Sequence, residues 1–204
     1  MDGVDLLVIA LAFGAIFVVE LPDKTFIATL VLSTKLRPLL VWIGVGLAFA
    51  VQTGIAVGLG KAASLLPAEA VQAGAALMFL AGSVLLFREA RKADAEESGT
   101  EEEYAARAGD PKQGLAAVGA SFLVLFAAEW GDLSQLLTLS LVARYDDPLS
   151  VFLGAWGALL AVRGLAVVLG RVLLRHVSLR TLHYVGATVC LVLAGVTGYE
   201  LLFG

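Results

Sequence analysis

Apolar residues run through this chain in long, evenly apolar stretches, interrupted by Pro, Gly or clusters of charge at approximate boundaries of 4–33, 38–60, 67–87, 114–143, 148–174 and 179–203. Each is close to or above the roughly 20 residues that an α-helix needs to cross a bilayer. They are too long for strands, and none has the alternation of an outer-membrane barrel strand. The pattern predicts an all-α integral membrane protein of six transmembrane helices. Between the third and fourth stretches the sequence changes character: of the 32 charged residues, 13 lie from Arg88 to Lys112. That segment, with Glu101-Glu102-Glu103 at its centre, reads as a solvated connector. The expected organisation is a three-helix unit over 1–87, a charged linker over 88–113 and a second three-helix unit over 114–204.

Composition narrows the function classes. The 204 residues are 59% hydrophobic and 16% charged, with a mean hydropathy of +0.90, against about 25% charged in soluble domains. Six spans leave no room for a separate soluble catalytic domain, so the chain reads as a non-enzyme with no cofactor. The net charge of −4, with its acidic excess in the linker, excludes a nucleic-acid surface. The lone Cys190 reads as a small packed side chain. Asp2 and Asp5, with no basic residue ahead of the apolar run, favour a first transmembrane helix over a cleaved leader.

The two halves are copies. At an offset of 109, Phe17, Glu20, Asp23, Thr29, Leu30 and Leu32 fall on Phe126, Glu129, Asp132, Thr138, Leu139 and Leu141, and Thr25 falls on Ser134. One residue further along, Pro38, Gly44, Ala48, Gly54 and Gly60 fall on Pro148, Gly154, Ala158, Gly164 and Gly170. Acids, prolines and glycines in register are not explained by shared apolar character. With three helices per unit, the second copy must enter the membrane from the opposite side, giving two inverted-topology repeats, an architecture of secondary transporters. Ten Lys and Arg fall on one set of loops and only Lys61 and Arg144 on the other, which puts the linker in the cytoplasm and both termini outside. The expected membrane is a prokaryotic inner (plasma) membrane.

Two acidic pairs lie inside apolar stretches, Glu20 with Asp23 and Glu129 with Asp132. Carboxylates in hydrocarbon need a partner, a wet cavity or a cation. Their i, i+3 spacing sets each pair on one helix face, with Gln135 a turn beyond Asp132. Pro22 removes a backbone N–H and its counterpart Gly131 lets the backbone unwind, so both read as helix breaks that free carbonyls. Glu20, Asp23, Glu129, Asp132, Thr25, Ser134 and Gln135 together form an oxygen-rich set suited to Ca²⁺, Mn²⁺ or Mg²⁺ and poor for Cu⁺ or Zn²⁺. Thr25 and Ser134 either ligate or bond carbonyls of their own helices. Gln52 and Thr53 read as interhelical glue, Gly54 and Gly58 as a packing face, Trp42 as an interfacial anchor, and His176 and His183 as surface groups.

These residues resemble the Gdt-type cation/proton exchangers, which include Golgi manganese/calcium transporters and bacterial manganese exporters. The family signature is Glu-apolar-Gly-Asp-(Lys/Arg)-(Ser/Thr), once per three-helix repeat. Glu20, Asp23, Lys24 and Thr25 match it in the first copy; Glu129, Gly131, Asp132, Ser134 and the following Gln135 match it in the second. Pro22 replaces the motif glycine and Leu133 the second basic residue. Arg163, in mid-span where the first copy has Thr53, restores the lost charge, so that Lys24 and Arg163 are the expected charge-balancing groups. The resemblance implies a divalent cation/proton antiporter that exports Mn²⁺, or alternatively Ca²⁺, from the cytoplasm, with the metal as substrate, protons as counter-ion and the lipid bilayer as surroundings. A homo-oligomer is left open. The alternatives are a small cationic solute or amino-acid exporter, a cation channel, or a non-transporting membrane factor.

Overall fold

The computed structural model of the protein describes residues 4–21, 24–63, 65–91, 103, 106–107, 113–176 and 179–203. Among these there is no strand, and eight helices carry the fold: α1 Leu6–Glu20, α2 Lys24–Lys35, α3 Pro38–Ala63, α4 Ala68–Ala90, α5 Leu115–Ala128, α6 Leu133–Tyr145, α7 Pro148–His176 and α8 Leu179–Phe203. Local chemistry sets several ends. The Asp5 carboxylate accepts the Leu7 N–H at 2.8 Å and caps α1. α3 and α7 begin on Pro38 and Pro148, at a position where a missing N–H leaves no bond unmade. Ahead of α7, Ser150 donates through its N–H to Asp147 at 3.1 Å, and hydrogen bonds from Ser150 hold that carboxyl below its usual range.

The membrane character stands, but two of the six expected spans are not single helices. The stretch expected over 4–33 is α1 followed by α2, bent by 77°, and the stretch over 114–143 is α5 followed by α6, bent by 75°. The second break is fully visible: Glu129 is the C-cap of α5, Gly131 has φ +79°, and Asp132 is the N-cap of α6. A positive φ is costly for any residue with a Cβ, so glycine is what lets the chain turn there. Pro22 and Asp23, at the corresponding place in the first copy, lie outside the described residues, as does most of the charged linker. α3, α4 and α7 contain stretches long and apolar enough to cross a membrane, the two bent pairs bring the number to five, and α8 carries a shorter apolar run over Tyr184–Tyr199.

Packing inverts the pattern of a soluble protein. On α3, Leu39, Ile43, Leu47, Val51, Ile55 and Leu59 form an exposed apolar stripe, while Gln52 and Thr53 are buried. Apolar groups outside and polar groups inside are what a lipid solvent selects, since a polar group finds partners only within the protein.

Equivalent helices of the two copies run antiparallel. Trp42 donates its Nε1–H to the Leu160 carbonyl, and Trp156 does the same to Gly46, each at 3.0 Å. As the residue number rises along α3 it falls along α7. α4 and α8 are likewise antiparallel: the Ser83 hydroxyl donates to the Ala187 carbonyl at 2.9 Å and Phe87 meets Tyr184 edge to face. Trp42, expected as an interfacial anchor, is thus bonded into the α3–α7 crossing.

Close approach between the copies is reciprocal at one pair of glycines. A Cβ on Gly44 would strike the Val118 carbonyl and the Ser121 side chain on α5; a Cβ on Gly154 would strike the Ile9 carbonyl and the Ala12 side chain on α1. Gly44 and Gly154 are repeat counterparts, and so are the residues they meet. Gly54 and Gly58, expected to form a packing face, have nothing within 4 Å of the place a Cβ would take, because they lie where α3 has no neighbour. Gly154→Ala is therefore expected to cost about 1–3 kcal/mol through overpacking, more than the ~1 kcal/mol gained in helix propensity. Gly14→Ala, with open space around it, keeps the gain. Thermal denaturation in detergent measures both, and equal shifts would mean that α1 and α7 slide apart without penalty.

Candidate metal centre

The helix breaks deliver the acids. Glu20 is the last residue of α1 and Glu129 caps α5, so repeat-related carboxylates arrive at the middle of the molecule from the two copies. Both are buried, at 1% and 2% exposure, and between them lies the fully buried Arg163 of α7. One nitrogen of its guanidinium, Nη2, donates to Glu20 Oε2 and also to Glu129 Oε1, the latter at 3.0 Å. The guanidinium stacks over the Phe49 ring of α3, 5.0 Å from its centroid. A cation on the face of an aromatic ring is favourable when both are desolvated.

Asp132 completes the acidic group. One carboxylate oxygen from each of Glu20, Glu129 and Asp132 can be chosen so that all three lie within 4.8 Å of one another. Opposed oxygens around an ion with 2.1–2.5 Å bonds are roughly 4–5 Å apart, so the three oxygens fit one coordination sphere. The i, i+3 reading of Glu129 and Asp132 as neighbours on one helix face is corrected here. They face each other across the break, where the main chain turns rather than continues.

The remaining expected site residues divide by what they hold. Ser134 donates both its N–H and its hydroxyl to Asp132 Oδ2, at 3.1 and 3.0 Å, and so fixes that carboxylate at the head of α6. Gln135 spans the break: its Nε2 donates to the Glu129 carbonyl at 2.5 Å, and its Oε1 accepts from the Gly131 N–H at 3.3 Å. Both ends of that amide are thus committed to the backbone. Thr25 is buried at the head of α2, its carbonyl accepting from the Thr29 hydroxyl at 2.9 Å, just as the Ser134 carbonyl accepts from Thr138 at 2.7 Å. Lys24 opens α2, but its side chain lies outside the described residues, as do those of His176 and His183.

Sequence reasoning missed Phe49, whose apolar character hides the cation on its face, and gave Gln52 only a gluing role. Gln52 does join helices, its Nε2 donating to the Phe126 carbonyl of α5 at 2.9 Å. That carbonyl belongs to the last turn of α5, where no intrahelical donor remains. A cavity of 280 Å³ reaches the acids, lined by Glu20, Asp132, Leu133 and the stretch of α4 from Met78 to Leu86 that leads toward the charged linker. Leu133, where the first copy has Lys24, lies in a notch over Gly82, whose missing Cβ makes room for it. A separate cavity of 190 Å³ near Phe79, Leu141 and Leu193 has no acid in its lining.

Buried acids from both copies meet at breaks in repeat-related helices, an arrangement of the kind found in inverted-repeat membrane transporters. The model of the family described as "Divalent cation/proton antiporter GDT1" matches residues 8–94 and 117–203, and the chain belongs to this family. The two matches are displaced by the same 109 residues that align the acidic motifs. Protein PAM71, chloroplastic, of Arabidopsis thaliana is 32% identical over 210 residues, covering 94% of this chain and 56% of its own length. GDT1-like protein 1, chloroplastic, of Oryza sativa subsp. indica is 29% identical, with 94% and 62% covered. A GDT1-like protein of Synechocystis sp. is 30% identical over 184 residues, with 80% and 85% covered. The chain thus spans little more than half the length of the plant relatives. No solved structure matches it.

Proposed function

We propose that the chain is a secondary transporter that exchanges a divalent cation, Mn²⁺ in preference and Ca²⁺ as the alternative, for protons, and exports the metal from the cytoplasm. The observation that carries this reading is a set of three carboxylates from both copies, two buried and that of Asp132 half-buried, whose oxygens come within 4.8 Å of one another. Oxygen donors of this hardness suit Mn²⁺ and Ca²⁺. Glu20, Glu129 and Asp132 hold the ion and carry protons on the return step; Asp23 and Thr25 are assigned to the same site from the matching motif. Ser134 and Gln135 keep Asp132 and the break in place, and Arg163 balances charge. The units over 1–87 and 114–204 act as the two halves that rock about the site.

Direction rests on topology. With the linker cytoplasmic, as the Lys and Arg distribution favours, the cavity beside the inner half of α4 lies on the side from which the ion would enter. The membrane assigned is a prokaryotic plasma membrane, with both termini outside. A single cysteine introduced into 88–112 is expected to react with impermeant reagents only after the cytoplasmic face is opened. Labelling in intact cells would reverse the transport direction. The functional test is proton flux in liposomes driven by Mn²⁺, Ca²⁺ or Mg²⁺ gradients. Saturable, pH-coupled flux with Mn²⁺ is expected. Flux that does not saturate would identify a channel, and metal binding without flux a non-transporting factor.

A further inference from the structure

Arg163 and the transported cation compete for one place. Nη2 lies within hydrogen-bonding reach of both Glu20 Oε2 and Glu129 Oε1. An ion held by those same two oxygens would sit about 2.1–2.5 Å from each, inside the space the guanidinium nitrogen fills. The ion cannot take both of those oxygens until the guanidinium leaves them.

The face of α3 that carries Phe49 supplies an acceptor. Gln52 follows Phe49 by three residues, so it lies on the same face of α3 as the ring beneath the guanidinium. Its amide nitrogen is committed to the Phe126 carbonyl, which orients the amide and leaves Oε1 as its acceptor. That oxygen is buried, on a residue 1% exposed, and takes no hydrogen bond among the described residues. A buried acceptor without a donor is unfavourable, and a guanidinium moving across the Phe49 ring would supply one. The repeat makes the asymmetry specific: the counterpart of Gln52 is Val162 and the counterpart of Arg163 is Thr53, so the cation comes from one copy and the free acceptor from the other.

We propose that Arg163 is a tethered competitor for the cation seat, and that Gln52 receives its guanidinium when the ion binds, so that these two residues set how tightly the site holds its substrate. This rests on the divalent-cation reading of the same glutamates. The guanidinium neutralises the buried carboxylates whenever the ion is absent, and its withdrawal to Oε1 is the step that admits the ion. Neither residue ligates the metal.

The test is Mn²⁺ binding by the full chain in lipid nanodiscs, followed by loss of the free-ion EPR signal. Arg163→Gln is expected to bind Mn²⁺ about tenfold more tightly, because the competitor is gone, and Gln52→Met about tenfold more weakly. In the Arg163→Gln background, Gln52→Met is expected to have no further effect. Unchanged or weaker binding by Arg163→Gln overturns the competitor. An equal loss from Gln52→Met in both backgrounds makes Gln52 a ligand and overturns its receiving role. If Arg163→Gln does not accumulate, Gln52→Glu, which holds the guanidinium on α3, must bind more tightly than wild type; unchanged binding overturns the proposal. A folded wild-type chain that binds neither Mn²⁺ nor Ca²⁺ overturns the transport reading itself, an outcome distinct from any of these.

Discussion

Glu20→Gln and Glu129→Gln are each expected to bring Mn²⁺-driven proton flux in liposomes to background, with the protein still recovered folded. Glutamine keeps the shape of the side chain and its bond to Arg163, but removes one ligand charge and one proton carrier. With Asp23 and Lys24 of the matching motif cancelling each other, Glu20, Glu129 and Asp132 carry three negative charges and Arg163 one positive, which leaves the two that a divalent ion neutralises. With either glutamate gone, the loaded site would hold an uncompensated positive charge in a low-dielectric interior. Losing one partner of a buried ionic group costs about 3–5 kcal/mol, or roughly 10²–10⁴-fold in an equilibrium. Asp146→Asn serves as the control. Its salt bridge to Lys61 joins side chains that are 64% and 52% exposed, and surface pairs are worth about 0–1 kcal/mol, so flux should stay at the wild-type level. Substantial flux from either glutamate variant would remove the acids from the transport site.

What the sequence shows and what it hides follow from the same physics. The duplication is legible because acids, prolines and glycines are rare in apolar helices, so their recurrence at one offset cannot come from composition. Arg163 draws notice for a related reason: a mid-span guanidinium needs a partner, and Glu20 and Glu129 are the carboxylates it meets. Gly131 marks the break in the sequence, but the 75° turn it makes is hidden, because hydropathy runs unbroken through α5 and α6 whether the chain continues or turns. Reading Glu129 and Asp132 as an i, i+3 pair assumes a continuous helix. The assignment of Gly54 and Gly58 to a packing face fails similarly, since spacing says that a face is smooth and not that a neighbour lies against it. Gly44 and Gly154 are recognisable only once the helices they approach are in place. Gln52 shows its orphaned oxygen only in three dimensions.

Arg163→Leu is expected to reduce turnover about 10²-fold or more, while Arg144→Leu leaves it within a factor of about two. The reason lies in the unloaded site. Leucine fills much of the volume beside Phe49 but leaves Glu20 and Glu129 facing each other without the nitrogen that joins them. Breaking a buried pair from one side costs about 3–5 kcal/mol because the remaining charge has neither water nor partner. That cost falls mainly on the state from which the ion has departed. Release therefore becomes the difficult step, and tighter binding is expected to accompany slower turnover. Arg144 is largely exposed and stacks on Tyr145 at the end of α6, so its loss burdens neither state. Charge also predicts how the residual flux behaves. In the wild type, the ion brings the described site to zero, and exchange of one divalent ion for about two protons moves no net charge. Without Arg163 the loaded site keeps one negative charge. Flux in liposomes with the membrane potential clamped at several values is expected to be flat for the wild type and to vary with potential for Arg163→Leu. Strong voltage dependence in the wild type would show that a further charge crosses with the ion.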